Sequence, residues 1–135
     1  MEIVRPLQGV LLDTHVLLWV LRGADNVGGR LRRIIERDAP LYFSAVSLVE
    51  LAIKAQRGKI TPLPNLSQTL ESLGFRELSL DSRAAEEISR FGGLAHHDPF
   101  DRMLVAQAAS NSIVLETADD TLLALELPHV RDARH

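Results

Sequence analysis

The chain has 135 residues, enough for one domain with one core and little more. Apolar residues make up 46% and charged residues 24%, which excludes a disordered chain, and no apolar run reaches the roughly eighteen residues of a membrane span. A net charge of −3 argues against a basic nucleic-acid-binding module, but not against an enzyme that handles nucleic acid through unevenly placed cations.

The N-terminal stretch "MEIVRPLQGVLLDTH" is apolar but broken by Arg5, Pro6, Gln8 and Asp13. It lacks the basic flank and cleavage site of a signal peptide. Cysteine is absent, so disulfides and thiolate ligands are excluded. Together these features point to a cytoplasmic protein away from membranes.

Residues 9–13, "GVLLD", form a short apolar run that ends on an acid and reads as a buried strand. "THVLLWVLRG" follows as a helix stopped by Gly23, with Leu17, Leu18, Val20 and Leu21 on its packed face. Trp19 belongs to the core or to a partner surface rather than to a cofactor. A second helix is expected over 28–38, where Leu31, Ile34 and Ile35 fall at helical spacing. "LYFSA" at 41–45 reads as a strand from its aromatics and the preceding Pro40. A helix over 47–59 is closed by Gly58. Pro62 and Pro64 mark a loop, 66–74 a short helix and 75–80 a strand. Residues 81–93 read as a helix with Asp81 as its N-cap. The run "HHDPFDR" at 96–102 opens a helix that reaches about Ser110. "SIVLET" at 112–117 is a strand, followed by "ADDTLLALEL" and a short terminal "HVRDA". Strand and helix in alternation predict one compact α/β domain, a parallel sheet covered by helices, with no repeat or linker.

In such a sheet, sites form beyond the carboxyl ends of the strands. Acids recur there: Asp13, Glu50, Asp98, Asp101, Asp119 and Asp120. Most have a second reading as helix caps. Ser47-x-x-Glu50 has the pattern of a capping box, and Asp98-Pro99-Phe100-Asp101 offers an N-cap, a proline at N1 and an acid at N3. Asp13 fits a cap less well, because Thr14 could serve instead. A buried carboxylate must be paired or bound to a metal. Several carboxylates on one rim repel each other unless a cation neutralises them, and oxygen donors suit Mg²⁺ or Mn²⁺. His15, His96 and His97 lack the tight spacing of a zinc site; a positively biased lip to the acidic pocket is a more modest role, and a plain surface pair before the helix is the simplest reading for His96 and His97.

"LLDTHVLLWVL", "FSAVSLVELAIKAQRGK", "HHDPFDRMLVAQA" and "VLETADD" together resemble the PIN domain, and more narrowly the VapC-type toxin ribonucleases of bacterial type II toxin–antitoxin systems. The resemblance runs from about residue 10 to about residue 130 within a single domain, 1–135. It implies a three-layer α/β/α fold with a central parallel sheet of four or five strands. It implies a divalent-metal-dependent endoribonuclease that cleaves RNA, such as tRNA or ribosomal RNA, to a 5′-phosphate and a 3′-hydroxyl. Carried over by motif, Asp13, Glu50, Asp101 and Asp119 are the metal and catalytic acids for Mg²⁺ or Mn²⁺, with Asp98 as an outer ligand. The "TxD" spacing favours Asp119 over Asp120. Thr14 and Thr117 support the carboxylates, with Ser44 and Ser47 as weaker candidates. Arg102 contacts phosphate or pairs with an acid. A tryptophan frequent before the glutamate in this subgroup is replaced by Val49.

RNA approaching an acidic site needs cations nearby, and Arg22, Arg33, Lys54 and Arg57 are candidates, with the rest of the arginine-rich 30–37 helix. The resemblance also implies a homodimer and a cognate VapB-type antitoxin that covers the pocket. Two other classes are open. One is a catalytically weak PIN-like module that binds RNA or protein. The other is a receiver-like phosphate domain, disfavoured because no lysine closes the last strand.

Overall fold

The computed structural model describes residues 9–23, 25–37 and 39–135. The N-terminal features at Arg5, Pro6 and Gln8, and the end of the second helix at Asp38, lie outside these residues. The described strands are β1 (Val10–Leu12), β2 (Leu41–Ser44), β3 (Phe75–Leu78), β4 (Val114–Thr117) and β5 (Val130–Asp132). They form one parallel sheet in the order β3-β2-β1-β4-β5. The helices are α1 (Thr14–Leu21), α2 (Gly29–Glu36), α3 (Ala45–Gln56), α4 (Leu66–Ser72), α5 (Ser82–Glu87), α6 (Pro99–Ser110) and α7 (Asp120–Leu123).

The three layers follow from strand alternation. Successive side chains point to opposite faces of a sheet. Val10, Leu12, Leu41 and Phe43 therefore face one way and pack with Val16, Leu17, Leu31 and Leu70 of α1, α2 and α4. Leu11 and Leu115 face the other way and pack with Val46, Leu104, Val105 and Leu122 of α3, α6 and α7. The order places β1 at the switch point, with β2 on one side and β4 on the other. A crevice opens between the carboxyl ends of β1 and β4, the position where open α/β sheets bind ligands.

Three expectations change. Helix α3 begins at Ala45 with Ser44 as its N-cap, its hydroxyl accepting from Val46 N at 3.0 Å. Ser47 therefore lies inside the helix, and Ser47–Glu50 is not a capping box. The helix expected over 81–93 is α5, capped by Asp81, followed by two short 3₁₀ turns at 88–90 and 92–94. Gly92 and Gly93 disfavour continued helix. The terminal "HVRDA" segment contains β5, a strand of three residues, too short for its alternation to be read from the sequence.

What holds β5 is tertiary. Val114 and Glu116 share one face of β4, and Glu116 is fully buried there. Arg30 of α2 reaches it with an ion pair and also donates to Asp132 O at 3.0 Å. The C-terminal backbone lies against α2, with Gly28 N donating to Ala133 O at 2.8 Å. A Cβ on Gly28 would stand 2.2 Å from His135 O, so that close approach requires glycine. Arg30 is thus committed to the fold and not to RNA. Arg30→Ala should lower unfolding stability by about 3 kcal/mol, since it leaves Glu116 buried without a partner, and adding Glu116→Leu should recover much of that loss. Urea denaturation of the two variants measures both effects.

Candidate metal centre at the strand ends

Helices α1 and α3 directly follow strands, so their N-termini lie at the carboxyl edge of the sheet. Helix α6 leads into β4, so its C-terminus lies at the opposite edge and its N-terminus returns to the same rim. Four chain segments therefore bring acids to one place. Asp13, Glu50, Asp98, Asp101 and Asp119 all line a cavity of about 600 Å³.

Each carboxylate is held by its own local structure. Asp13 is the N-cap of α1, with Oδ1 accepting from Val16 N at 2.8 Å and Oδ2 from the Thr117 hydroxyl. Thr117 in turn accepts from Asp119 N at 3.1 Å, so the Thr-x-Asp spacing links β4 to β1 through one hydroxyl. The cap role belongs to Asp13 and not to Thr14. The Thr14 hydroxyl lies 2.7 Å from Glu50 Oε1 and 2.9 Å from Ser47 Oγ. It has one proton and Glu50 can only accept, so Thr14 donates to Glu50 and accepts from Ser47. Lys54, one turn further along α3, pairs with Glu50 Oε2 at 2.8 Å. Ser44 is apart from these acids, capping α3 and donating to Gln107 at 2.5 Å.

Asp98 caps α6, with Oδ1 accepting from Phe100 N at 2.8 Å and Asp101 N at 3.3 Å, and Pro99 occupies the first helical position. This fixes the turn on which Asp101 sits. Asp119 caps α7 through Oδ1, which accepts from Thr121 N at 2.9 Å and Leu122 N at 3.2 Å. Its other oxygen is left for the cavity. Asp120 faces away and pairs with Arg134 at 2.6 Å.

Sequence spacing missed two groups. His97 is not a plain surface residue: its side chain is 12% exposed, and Nε2 lies 3.9 Å from Asp101 Oδ2 and 3.7 Å from Asp119 Oδ2. These three side chains form a cluster able to hold a metal ion. The i, i+4 relation of His97 and Asp101 was the available signal, and Asp119 joins them only through the fold. Arg134 also lines the cavity, brought there by β5. Trp19 forms part of the wall as well as packing on the core. Among the expected cations only Lys54 lines the cavity; Arg22, Arg33 and Arg57 are exposed outside its lining. Arg102 makes no ion pair among the described residues, and its Nε is buried without a hydrogen-bond partner. It follows Asp101 by one position, about 100° around the helix, and so points elsewhere.

The electrostatics match a site built for a cation. Burial raises the Asp13 carboxyl above its ordinary value, against the opposing pull of Thr117 and Val16 N. Asp101 is pushed up to about 7, first by burial and then by the charges of Asp98, Asp119, Asp13 and Glu50. Oxygen donors in this number, lacking enough bases to neutralise them, suit a hard divalent ion.

A parallel sheet between two helical layers, with a carboxylate-lined crevice at its switch point, places the chain among α/β/α domains with an acidic site at the strand ends. This chain belongs to the PIN domain family, whose profile matches residues 10–126. No curated protein matches the sequence. Solved structures share its fold. A toxin–antitoxin complex from Klebsiella pneumoniae is 18% identical, with a TM-score of 0.65 over 92% of this chain and 97% of that one. FitAcB from Neisseria gonorrhoeae is 23% identical, with a TM-score of 0.64 over 93% and 99%. The DNA-bound VapBC from Salmonella typhimurium is 22% identical, with a TM-score of 0.63 over 93% and 98%. Among the described residues, no helix is long and apolar enough to cross a membrane.

In the metal-free protein, Asp101 keeps its proton to about pH 7 when folded, against an ordinary value of 3.8 when unfolded. The folded state then binds more protons across that window, so stability should fall as pH rises from about 4 to about 7 and stay low above it. Asp101→Asn should flatten this fall and raise the melting temperature at pH 8. Calorimetry across pH in the presence of a chelator checks both.

Proposed function

We propose that this chain is a cytoplasmic, divalent-metal-dependent endoribonuclease toxin, neutralised by a cognate VapB-type antitoxin. The observation that carries this reading is the convergence of five carboxylates from four chain segments on one cavity, with Asp101 pushed up to about 7 by burial and then by the charges of the others. Asp13, Glu50, Asp101 and Asp119 would hold Mg²⁺ or Mn²⁺, with Asp98 behind them. When bound, the cation would supply Lewis acidity to water and to the phosphate oxygens.

The remaining roles follow from the chain itself. Thr117 and the α1 backbone fix Asp13, while Thr14 and Lys54 fix Glu50, so these acids meet the substrate without reorganising. An ionised carboxylate at the centre can take the proton of an attacking water. In-line attack at phosphorus breaks the bond to the 3′ oxygen, leaving a 3′-hydroxyl and a 5′-phosphate. Lys54 and Arg134 stand in the cavity wall where phosphate oxygens would arrive. Trp19 offers one aromatic face for a base. Arg22, Arg33 and Arg57 would guide the RNA backbone at longer range. A tRNA or ribosomal RNA loop suits so small a stacking surface.

The partner reading is supported by the similar structures, among them the toxin–antitoxin complex from Klebsiella pneumoniae and the DNA-bound VapBC from Salmonella typhimurium. An apolar groove of about 640 Å³, lined by Leu48, Leu51, Ala55, Ile60, Leu63 and Leu66, would accept the apolar face of an antitoxin helix. A homodimer is part of the same proposal.

Incubation with total RNA tests the activity. Cleavage is expected with Mg²⁺ or Mn²⁺, none with chelator, and a loss of at least about 100-fold in Asp13→Asn and Asp101→Asn. RNA binding without cleavage, under all metal conditions, would replace this reading with that of a binding module.

A further inference from the structure

The imidazole of His97 stands at ion-pair distance from two acids, a pairing that would hold only while it is protonated. His15 is exposed in the cavity lining and His96 is exposed outside it, whereas the His97 side chain lies behind the lining, only 12% exposed, and directs Nε2 between two carboxylates. At 3.9 Å from Asp101 and 3.7 Å from Asp119, it is too far from either for a hydrogen bond. The imidazole makes no hydrogen bond among the described residues. One donor atom from each of the three side chains nevertheless lies within 4.8 Å of the other two.

That spacing fits an ion at the middle. Two donors bound at about 2.1 Å stand roughly 3.0 Å apart at right angles and roughly 3.6 Å apart at 120°. At 120° the His97 distances already fit to within a few tenths of an ångström, whereas an octahedral ion would draw Nε2 and each oxygen together by roughly 0.7–0.9 Å. Two caps hold the ligands. Asp98 fixes the turn between His97 and Asp101, and Asp119 gives Oδ1 to α7 while Oδ2 is the oxygen near His97. The backbone of His97 is anchored independently, its N–H donating to Leu94 O at 2.9 Å.

We infer that His97 is a nitrogen ligand of the metal centre and makes that centre select Mn²⁺ over Mg²⁺. The inference rests on the proposed metal-dependent reading and adds a donor and a selectivity to it. Imidazole suits first-row transition metals, whereas Mg²⁺ is bound almost wholly through oxygen. A carboxylate-only centre would discriminate little between the two.

The test uses the full chain and Mn²⁺ alone, read by pulsed electron paramagnetic resonance. A nitrogen coupling from a coordinated imidazole is expected in the unaltered protein, and ¹⁵N-labelled histidine should change its pattern. The coupling should persist in His15→Gln and His96→Gln and vanish in His97→Gln. By calorimetry, His97→Gln should weaken Mn²⁺ binding about tenfold and Mg²⁺ binding by less than about twofold. Mn²⁺ bound without nitrogen coupling, or a coupling that survives His97→Gln, would overturn the assignment and leave the carboxylate centre standing. No Mn²⁺ binding by the unaltered protein would overturn the metal-dependent reading as well.

Discussion

Everything at the strand ends depends on the restraint of Asp13. A carboxylate this buried is unfavourable as an ion, and burial does raise its proton affinity. The Thr117 hydroxyl and Val16 N hold both of its oxygens in place. Because Thr117 also accepts from Asp119 N, the same hydroxyl sets the separation between the acids of β1 and β4. The crevice at the switch point is thus lined by charges whose spacing is fixed before any cation arrives.

Helix capping and site construction are the same events in this fold. Asp13, Asp98 and Asp119 each terminate a helix, and each stands at the acidic cavity. A cap fixes a side chain to within a hydrogen bond of its own helix start, which is how it can aim a neighbouring carboxylate such as Asp101. Local helix energetics and the electrostatic cost of clustered acids therefore oppose each other. The raised proton affinity of Asp101, due first to burial and then to its acidic neighbours, reflects that conflict, which a divalent ion would relieve.

A second opposition sits on the far side of β4. Glu116 is fully buried in β4, and among the described residues its ion pair with Arg30 from α2 is what makes that tolerable. The pair ties β4, β5 and α2 together, and that tie carries Arg134 to the cavity. An arginine that resembles a nucleic-acid contact by position in a basic cluster is thus spent on architecture, while one near the terminus reaches the site.

The strands β1 to β4 and the order of helices were legible from the sequence, because apolar runs and turn residues report local periodicity. So were the Asp81 and Asp98 caps, and the placing of acids at strand exits. The start of α3 was not legible, because Ser44 and Ser47 are equally good caps and only the packing of Glu50 on Thr14 distinguishes them. Strand β5 is three residues long and exists through its pairing with β4 and its tie to Arg30. The approach of His97 to Asp119 joins residues 22 positions apart through two separate elements, which no spacing rule anticipates. The sequence by itself determined which residues are acids and which elements carry them, since those are local properties. Only the tertiary structure decided which acids meet, which cations reach the cavity and where His97 points, because each depends on how the sheet orders its strands.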